Sequence, residues 1–353
     1  MSAGNSRQDR QVKEEAPARD DSLERRYLYK LAANIFSLLA NLAVQAMVPR
    51  ALGPRSYGDF SFLSSTFTQL FGFFDMGTST CFYAKLSQRP RDDRLILFYF
   101  YFAGVAAVAA LGIVAASDCL DAFAFIFPGQ QVTFIYMALA WGVLYFLAAI
   151  IDKIGDACGL TVPVERLRIL QRAIGVMIIL ILFSLDRLDL SSFFGYYYAI
   201  FILFIGAVTW LLKRDGYFIR PPLVMGSGEI KNYSREFYLY SHPLFVFSLV
   251  GLITDFLDRW LLQIYGGGIQ QGFFGLSYQI GAICLLVTGA MVPLLTREFA
   301  IAFKERENSR IAYLFERYVP VFCALATYFS CFVAAQYENV TFLMGGRQYA
   351  YAA

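Results

Sequence analysis

Nine stretches of this chain are long and apolar enough to cross a hydrocarbon layer as helices: residues 31–48, 60–83, 95–116, 132–151, 169–185, 193–212, 244–265, 273–295 and 319–335. A layer about 30 Å thick takes about 20 apolar residues in a helix. Backbone N–H and C=O groups find no water inside it, so helices and closed barrels are the only spanning structures. These runs do not alternate in polarity as barrel strands do, which leaves helices. The third run, LILFYFYFAGVAAVAALGIVAA, has neither charge nor proline. The fifth is the weakest, because Glu165, Arg166, Arg168 and Arg172 crowd its start and must sit at or below the lipid headgroups. Composition agrees: 58% hydrophobic and 16% charged residues, with a mean hydropathy of +0.51, exceed what a soluble core of 353 residues can hide. Soluble chains run at about 45–50% apolar and about 25% charged. The fold class expected is all-α and polytopic, with about nine transmembrane helices.

The charges set the orientation. With the N-terminus on the cytoplasmic side, only Arg50, Arg55, Arg187 and Arg347 fall outside and Arg259 falls within a span; the other lysines and arginines all lie inside. That is the positive-inside pattern, and it supports both the span count and a cytoplasmic N-terminus. Residues 1–26 mix both signs with almost no apolar content and read as a disordered cytoplasmic tail. No signal peptide is expected, since the first apolar run begins far from Met1. A net charge of +3 is too small to point to nucleic acid. The six cysteines form no CxxC pair and there is one histidine, His242, so neither a metal site nor a cofactor is expected.

An internal repeat is visible at an offset of 214 residues. It places Gly53 on Gly267, Gly58 on Gly272 and Phe60 on Phe274, each time between two apolar runs joined by a short glycine-rich turn. An even number of spans separates the two units, so they share one orientation. Two six-helix bundles related by an axis along the membrane normal would produce this pattern. The boundaries expected are 27–220 for the first bundle, 221–243 for an interfacial linker and 244–353 for the second. Within the linker, EIKNYSREFYLY mixes charges and aromatics before Pro243, which suits the first turn of the seventh span.

Polar residues inside the spans are the candidates for function. The stretch ITDFLDRWLLQIYGGG (253–268) carries Asp255, Asp258 and Arg259 through apolar surroundings. Asp255 and Arg259 are four apart with the acid first, the favourable order for a helical ion pair, and Ser248 and Gly251 continue that face. Intramembrane charges normally face a bundle interior or a wet cavity. Arg259 also lies seven residues before Gly266, about 10 Å along a helix, so snorkelling to the surface while paired with Asp255 is the alternative. The second span aligns Ser61, Ser65, Thr68, Gly72, Asp75 and Ser79 on one face, and the first aligns Asn34, Asn41 and Gln45. Small and hydroxyl residues at this spacing let helices pack closely. Asp75 is a cation-site candidate or a helix cap near the cytoplasmic end. Arg50 and Arg55 mark either an exit mouth for an anionic headgroup or an anchor on lipid phosphates. The run GYYYAIF (195–201) suits an interfacial aromatic belt.

Arg50-Ala-Leu-Gly-Pro-Arg-Ser-Tyr-Gly-Asp-Phe-Ser61, Asp75-Met-Gly77, Asp258-Arg259, Pro293-Leu-Leu-Thr-Arg297 and Gly345-Gly-Arg-Gln-Tyr349 occur in that order. Together they resemble the polysaccharide (O-antigen and exopolysaccharide) flippases of the multidrug/oligosaccharidyl-lipid/polysaccharide exporter superfamily, over residue 27 to the end. The resemblance implies two bundles around a hydrophilic cavity in the inner membrane of a bacterium. It implies passage of a polyprenyl-linked oligosaccharide from the cytoplasmic to the outer leaflet by alternating access. Arg259, with Asp255, Asp258, Asn34, Asn41, Gln45 and Arg50, would then contact substrate, and Asp75 or Asp255 would bind a coupling Na+ or proton. The chain stops where that resemblance places a tenth helix, so the second bundle is expected to be incomplete. A multidrug exporter of the same superfamily is the nearest alternative. A membrane-embedded enzyme of polysaccharide synthesis is the more distant one, and no HExxH or GxSxG motif speaks for it.

Overall fold

The computed structural model describes residues 23–89, 92–217, 225–284 and 308–352. Residues 1–22 of the expected tail, the start of the linker, the end of the eighth span and the Pro293–Arg297 motif lie outside the described residues, as do the side chains of Asn34 and Ser248.

Every described element is helical. In chain order these are α1 (Leu23–Asp75), α2 (Thr78–Gln88), α3 (Asp93–Cys119), the single turn α4 (Phe123–Ile126), α5 (Val132–Ala157), α6 (Thr161–Ser184), α7 (Leu190–Arg214), α8 (Ser227–Cys284), α9 (Asn308–Ala335), α10 (Tyr337–Gly345) and a closing 3₁₀ turn (Arg347–Ala352). Five of them, α3, α5, α6, α7 and α9, are individually long and apolar enough to cross a membrane. The first and seventh apolar runs, and the described part of the eighth, lie in the two long elements α1 and α8, while the second run begins in α1 and ends in α2, across a break at residues 76–77.

Those two elements carry the repeat. Each is a pair of helices joined at one glycine: Gly53 at φ 72°, ψ 170° in α1, and Gly267 at φ 65°, ψ −173° in α8. Only glycine adopts that region without penalty, because any Cβ would collide with the neighbouring peptide. The chain doubles back at both points, since residues about eight before and eight after each glycine meet in one cavity. Two glycines 214 residues apart thus take the same left-handed conformation. The arms that follow them run side by side with equivalent positions facing: a Cβ on Gly58 would lie 2.6 Å from the Gly272 nitrogen, and one on Gly275 would lie 2.7 Å from Ser61 Oγ. Equivalent residues meet in this way when a two-fold axis passes between two parallel helices.

The second arm of α1 ends at Asp75, where Met76 (φ 37°) and Gly77 (φ 82°) break the helix. Asp75 Oδ1 accepts from the Ser79 backbone N at 2.8 Å and Oδ2 from Ser79 Oγ at 2.7 Å, so the carboxylate satisfies the free donors that open α2. Around this arm the first half builds an aromatic core. Phe60 stacks on Tyr197 (centroids 5.4 Å, planes 8° apart) and meets Phe193 at 4.6 Å, while Phe71 stacks on Phe146. Gly142 of α5 admits this packing; a Cβ there would lie 2.9 Å from the Phe71 ring. Tyr197 therefore joins the ring cluster of the first half, and Tyr198 donates to the Met137 carbonyl at 2.5 Å.

The expected break before Pro243 is not there. Helix α8 runs unbroken from Ser227 to Gly267, so residue 243 lies mid-helix. Its first turns are fastened to the first half: Glu236 pairs with Lys85 at 2.7 Å and with Arg89 at 3.5 Å, Glu229 pairs with Arg94, and Tyr233 donates to Asp92. Basic connections from several spans thus meet at the end of the molecule opposite the glycine turns. Helix α9 buries Leu314 alone among its residues and leaves Tyr313, Phe315, Val321 and Phe332 exposed, a surface suited to hydrocarbon.

Candidate functional site

A cavity of about 570 Å³ lies between the two kinked helices, one turn in from the glycine contact. Its walls come from both halves: Asn41, Gln45, Ser61, Ser64, Ser65, Thr68 and Gln69 from α1, and Asp255, Asp258, Arg259, Phe274, Tyr278 and Gln279 from α8. Most of these groups are amides and hydroxyls. The Gln45 Oε1 is buried with no partner among the described residues, an acceptor left open.

Arg259 occupies the centre of the arrangement. Its Nη1 donates to Ser61 Oγ across the interface at 2.9 Å. Its guanidinium lies 4.5 Å from the Phe274 ring centroid and 5.4 Å from that of Tyr278, in range of cation–π attraction. Gln271, fully buried, donates to the Arg259 carbonyl and fixes the backbone there. The helical ion pair expected with Asp255 is not made. Asp255 Oδ2 accepts instead from Gln69 Nε2 of α1 at 3.2 Å. Among the described residues no carboxylate forms an ion pair with the guanidinium. The physical reason is competition: a surface ion pair four residues apart is worth only about 0.3–0.5 kcal/mol, and ring faces and hydroxyls on the opposing arms offer as much.

Other expected residues divide. Asn41, Gln45, Asp255, Asp258 and Arg259 all line the cavity. Asn41 Oδ1 also accepts from Arg172 Nη1 at 2.9 Å, which draws a guanidinium expected at the headgroups against the first span. Its neighbour Arg168 is by contrast neutralised by Asp152 and Glu165. Asp75 lies apart, in a smaller pocket with Tyr145 and Lys153, and its oxygens take hydrogen bonds from Thr78, Ser79 and Tyr99. Arg50 is likewise outside the cavity. Its Nη2 donates to the Phe342 and Leu343 carbonyls at 3.0 and 2.5 Å, near the end of α10. Sequence reasoning missed Gln69, Gln279, Phe274 and Tyr278. The last two are spaced i, i+4 on the eighth span and carried a readable signal; the glutamines carried none beyond being polar in apolar runs.

No family model matches the chain, and no curated protein matches it. Solved structures do. One, described as the inward-facing conformation of a multidrug resistance MATE family transporter of the MOP superfamily, aligns with a TM-score of 0.61 at 16% identity, over 92% of this chain and 78% of that one. A second, a ligand complex of the MATE multidrug transporter DinF-BH, aligns with a TM-score of 0.51 at 16% identity, over 90% of this chain and 73% of that one. At such identity the likeness is one of fold: over about nine-tenths of its length this chain folds as those two solved transporters do.

Proposed function

We propose that the protein carries a lipid-linked, anionic oligosaccharide across the bilayer by alternating access. The observation that carries this reading is Arg259: a guanidinium with no carboxylate partner among the described residues, held by Ser61, Phe274 and Tyr278 in a cavity shared by both halves. A cation so placed is complementary to a phosphate or sugar acid, since charge-assisted and bidentate hydrogen bonds are the strong ones. The surrounding amides and hydroxyls match the dense donors and acceptors of a saccharide. The alternating basic connections support an arrangement in which the glycine turns are outer and the cavity opens toward the cytoplasm. Asp255 and Asp258 outnumber Arg259 among the charged groups of the cavity, so occupancy by a proton or Na+ would neutralise the excess and favour entry of an anion. These two acids, rather than the capping Asp75, are the candidates for coupling.

That same excess acid favours a second reading, export of a cationic drug. Ligand sites for drug-like molecules are lined mainly by apolar and aromatic groups, and here Phe274 and Tyr278 are the aromatic walls. The two readings separate in sealed vesicles containing the purified protein. A fluorescent saccharide joined through diphosphate to a short isoprenoid should equilibrate between leaflets faster than in protein-free vesicles, and a lipophilic cationic dye should not be driven. Dye movement with an inert saccharide lipid would reverse the assignment.

A further inference from the structure

One helical turn beyond the cavity the two halves touch backbone to backbone. A Cβ on Gly58 would overlap the Gly268 carbonyl oxygen, and one on Gly272 would overlap the Pro54 carbonyl oxygen. The offset of 214 carries Pro54 onto Gly268 and Gly58 onto Gly272, so these two contacts are the same contact seen from either side of the axis. Ser61 and Gly275, the next equivalent pair, line the cavity itself. This backbone-to-backbone contact between the two halves therefore also forms the floor between the cavity and the glycine-turn side.

Two short segments, one from each half, are each held by the opposite half. The segment around α4 offers the carbonyls of Phe125 and Pro128; Trp260 Nε1 and Gln263 Nε2 of α8 donate to them at 2.9 and 3.0 Å. The segment around α10 offers the carbonyls of Phe342 and Leu343, and Arg50 of α1 donates to both. Behind them Gly129 (φ 71°) and Gly346 (φ 72°) turn the two segments in the same left-handed way. Gln130 Nε2 reaches Asp59 Oδ1 at 2.7 Å, and a Cβ on Gly268 would lie 2.7 Å from that same oxygen. Tyr349 is fully buried and meets Tyr57 edge to face. Each half is thus gripped by side chains of the other.

We infer that the Gly58–Gly268–Gly272 contact is a seal closing the cavity toward the glycine-turn side, and that the α4 and α10 segments are reciprocal latches that hold it shut. Opening requires the two arms to part at the glycines and both latches to release together. The arrangement works as one switch because helices packed without side chains between them have no partly open contact to settle into. Arg50 in this scheme is a positioning residue, not a substrate contact. The purpose of the seal rests on the carrier reading above; its existence does not.

The test places a cysteine at Ser64, inside the cavity, in protein whose native cysteines are replaced, and adds a membrane-impermeant maleimide from the glycine-turn side of oriented vesicles. Ser64→Cys should react slowly with the seal intact. Gly272→Val, which wedges the arms apart, and Arg50→Gln, which frees the α10 latch without adding bulk, should each raise the rate severalfold. Gly104→Val should leave it unchanged, because nothing lies within 4 Å of a Cβ there. Fast labelling with the seal unmutated, or no gain in Arg50→Gln protein that remains monodisperse, overturns the inference. The readout involves no transport, so vesicles that label as expected but move no saccharide would remove the carrier reading and leave the seal standing.

Discussion

Replacing Arg259 should weaken binding of an anionic headgroup by an amount the geometry sets. The guanidinium has five N–H donors; Ser61 takes one, and Phe274 and Tyr278 cover ring-sized areas of its faces without using any. The remaining edge can meet two oxygens of a phosphate or carboxylate at once. Truncating one partner of a buried, hydrogen-bonded charge pair costs about 2–5 kcal/mol. Arg259 is only partly buried, which places the loss at the lower end, about 2–3 kcal/mol, or about 30- to 150-fold in Kd. Arg259→Lys keeps the charge but loses the fork, and about tenfold weakening is expected. Ser61→Ala should cost less again, about fivefold, since it frees the fork without removing it. The assay is titration of detergent-solubilised protein with geranyl diphosphate, whose short chain keeps it soluble. Equal affinity in wild type, Arg259→Lys and Arg259→Ala would refute the reasoning and return Arg259 to a role in packing alone.

Other outcomes follow from the same structure. Asp255→Asn removes a negative charge from the cavity and should tighten binding of the same diphosphate severalfold, measured in the same titration. Asp189 caps α7 by accepting from Ser192, which holds its carboxyl below the usual range. Its contribution is therefore fully present above the unfolded value of about 3.9 and fades as pH falls through the depressed folded value. Asp189→Ala should cost about 1 kcal/mol at neutral pH, and the difference in thermal unfolding should shrink in acid. Phe60→Ala empties the ring cluster with Trp141, Phe193 and Tyr197 and should destabilise by about 3–5 kcal/mol, read as a fall in midpoint. Glu236→Gln releases Lys85 and Arg89; partly exposed pairs contribute about 0–1 kcal/mol each, so its effect on stability should be small at low salt and vanish at high salt.

Much of the architecture was legible because lipid imposes rules a sequence cannot evade. Unbroken apolar runs, basic segments on one side and glycines where the chain must turn are each dictated by a single local constraint. The repeat was legible for the same reason: Gly53 and Gly267 are glycine because both take a left-handed conformation. What stayed hidden depends on which helix faces which. Periodicity places Asp255 and Arg259 on one face of one helix, but the donor that takes Asp255, Gln69, comes from another, 186 residues away. Arg50 could be read as facing lipid until the carbonyls of residues 342 and 343 were seen to close on it. For Asp75 the sequence left a cation site and a helix cap both open; the break at Met76 and Gly77 and the hydrogen bonds from Ser79 show the cap. The packing of Tyr197 against Phe60 and Phe193 likewise joins residues from two helices and has no mark in the run itself.

The central physical claim is that Arg259 faces water enclosed by protein rather than hydrocarbon. Tyr278 beside it and Val105 on α3 are 64% and 68% exposed, so protein contact alone does not distinguish them. In protein lacking native cysteines, Tyr278→Cys should react readily with a charged methanethiosulfonate and be protected by geranyl diphosphate, while Val105→Cys stays inert. Equal inertness at both positions, in folded protein, would contradict the account.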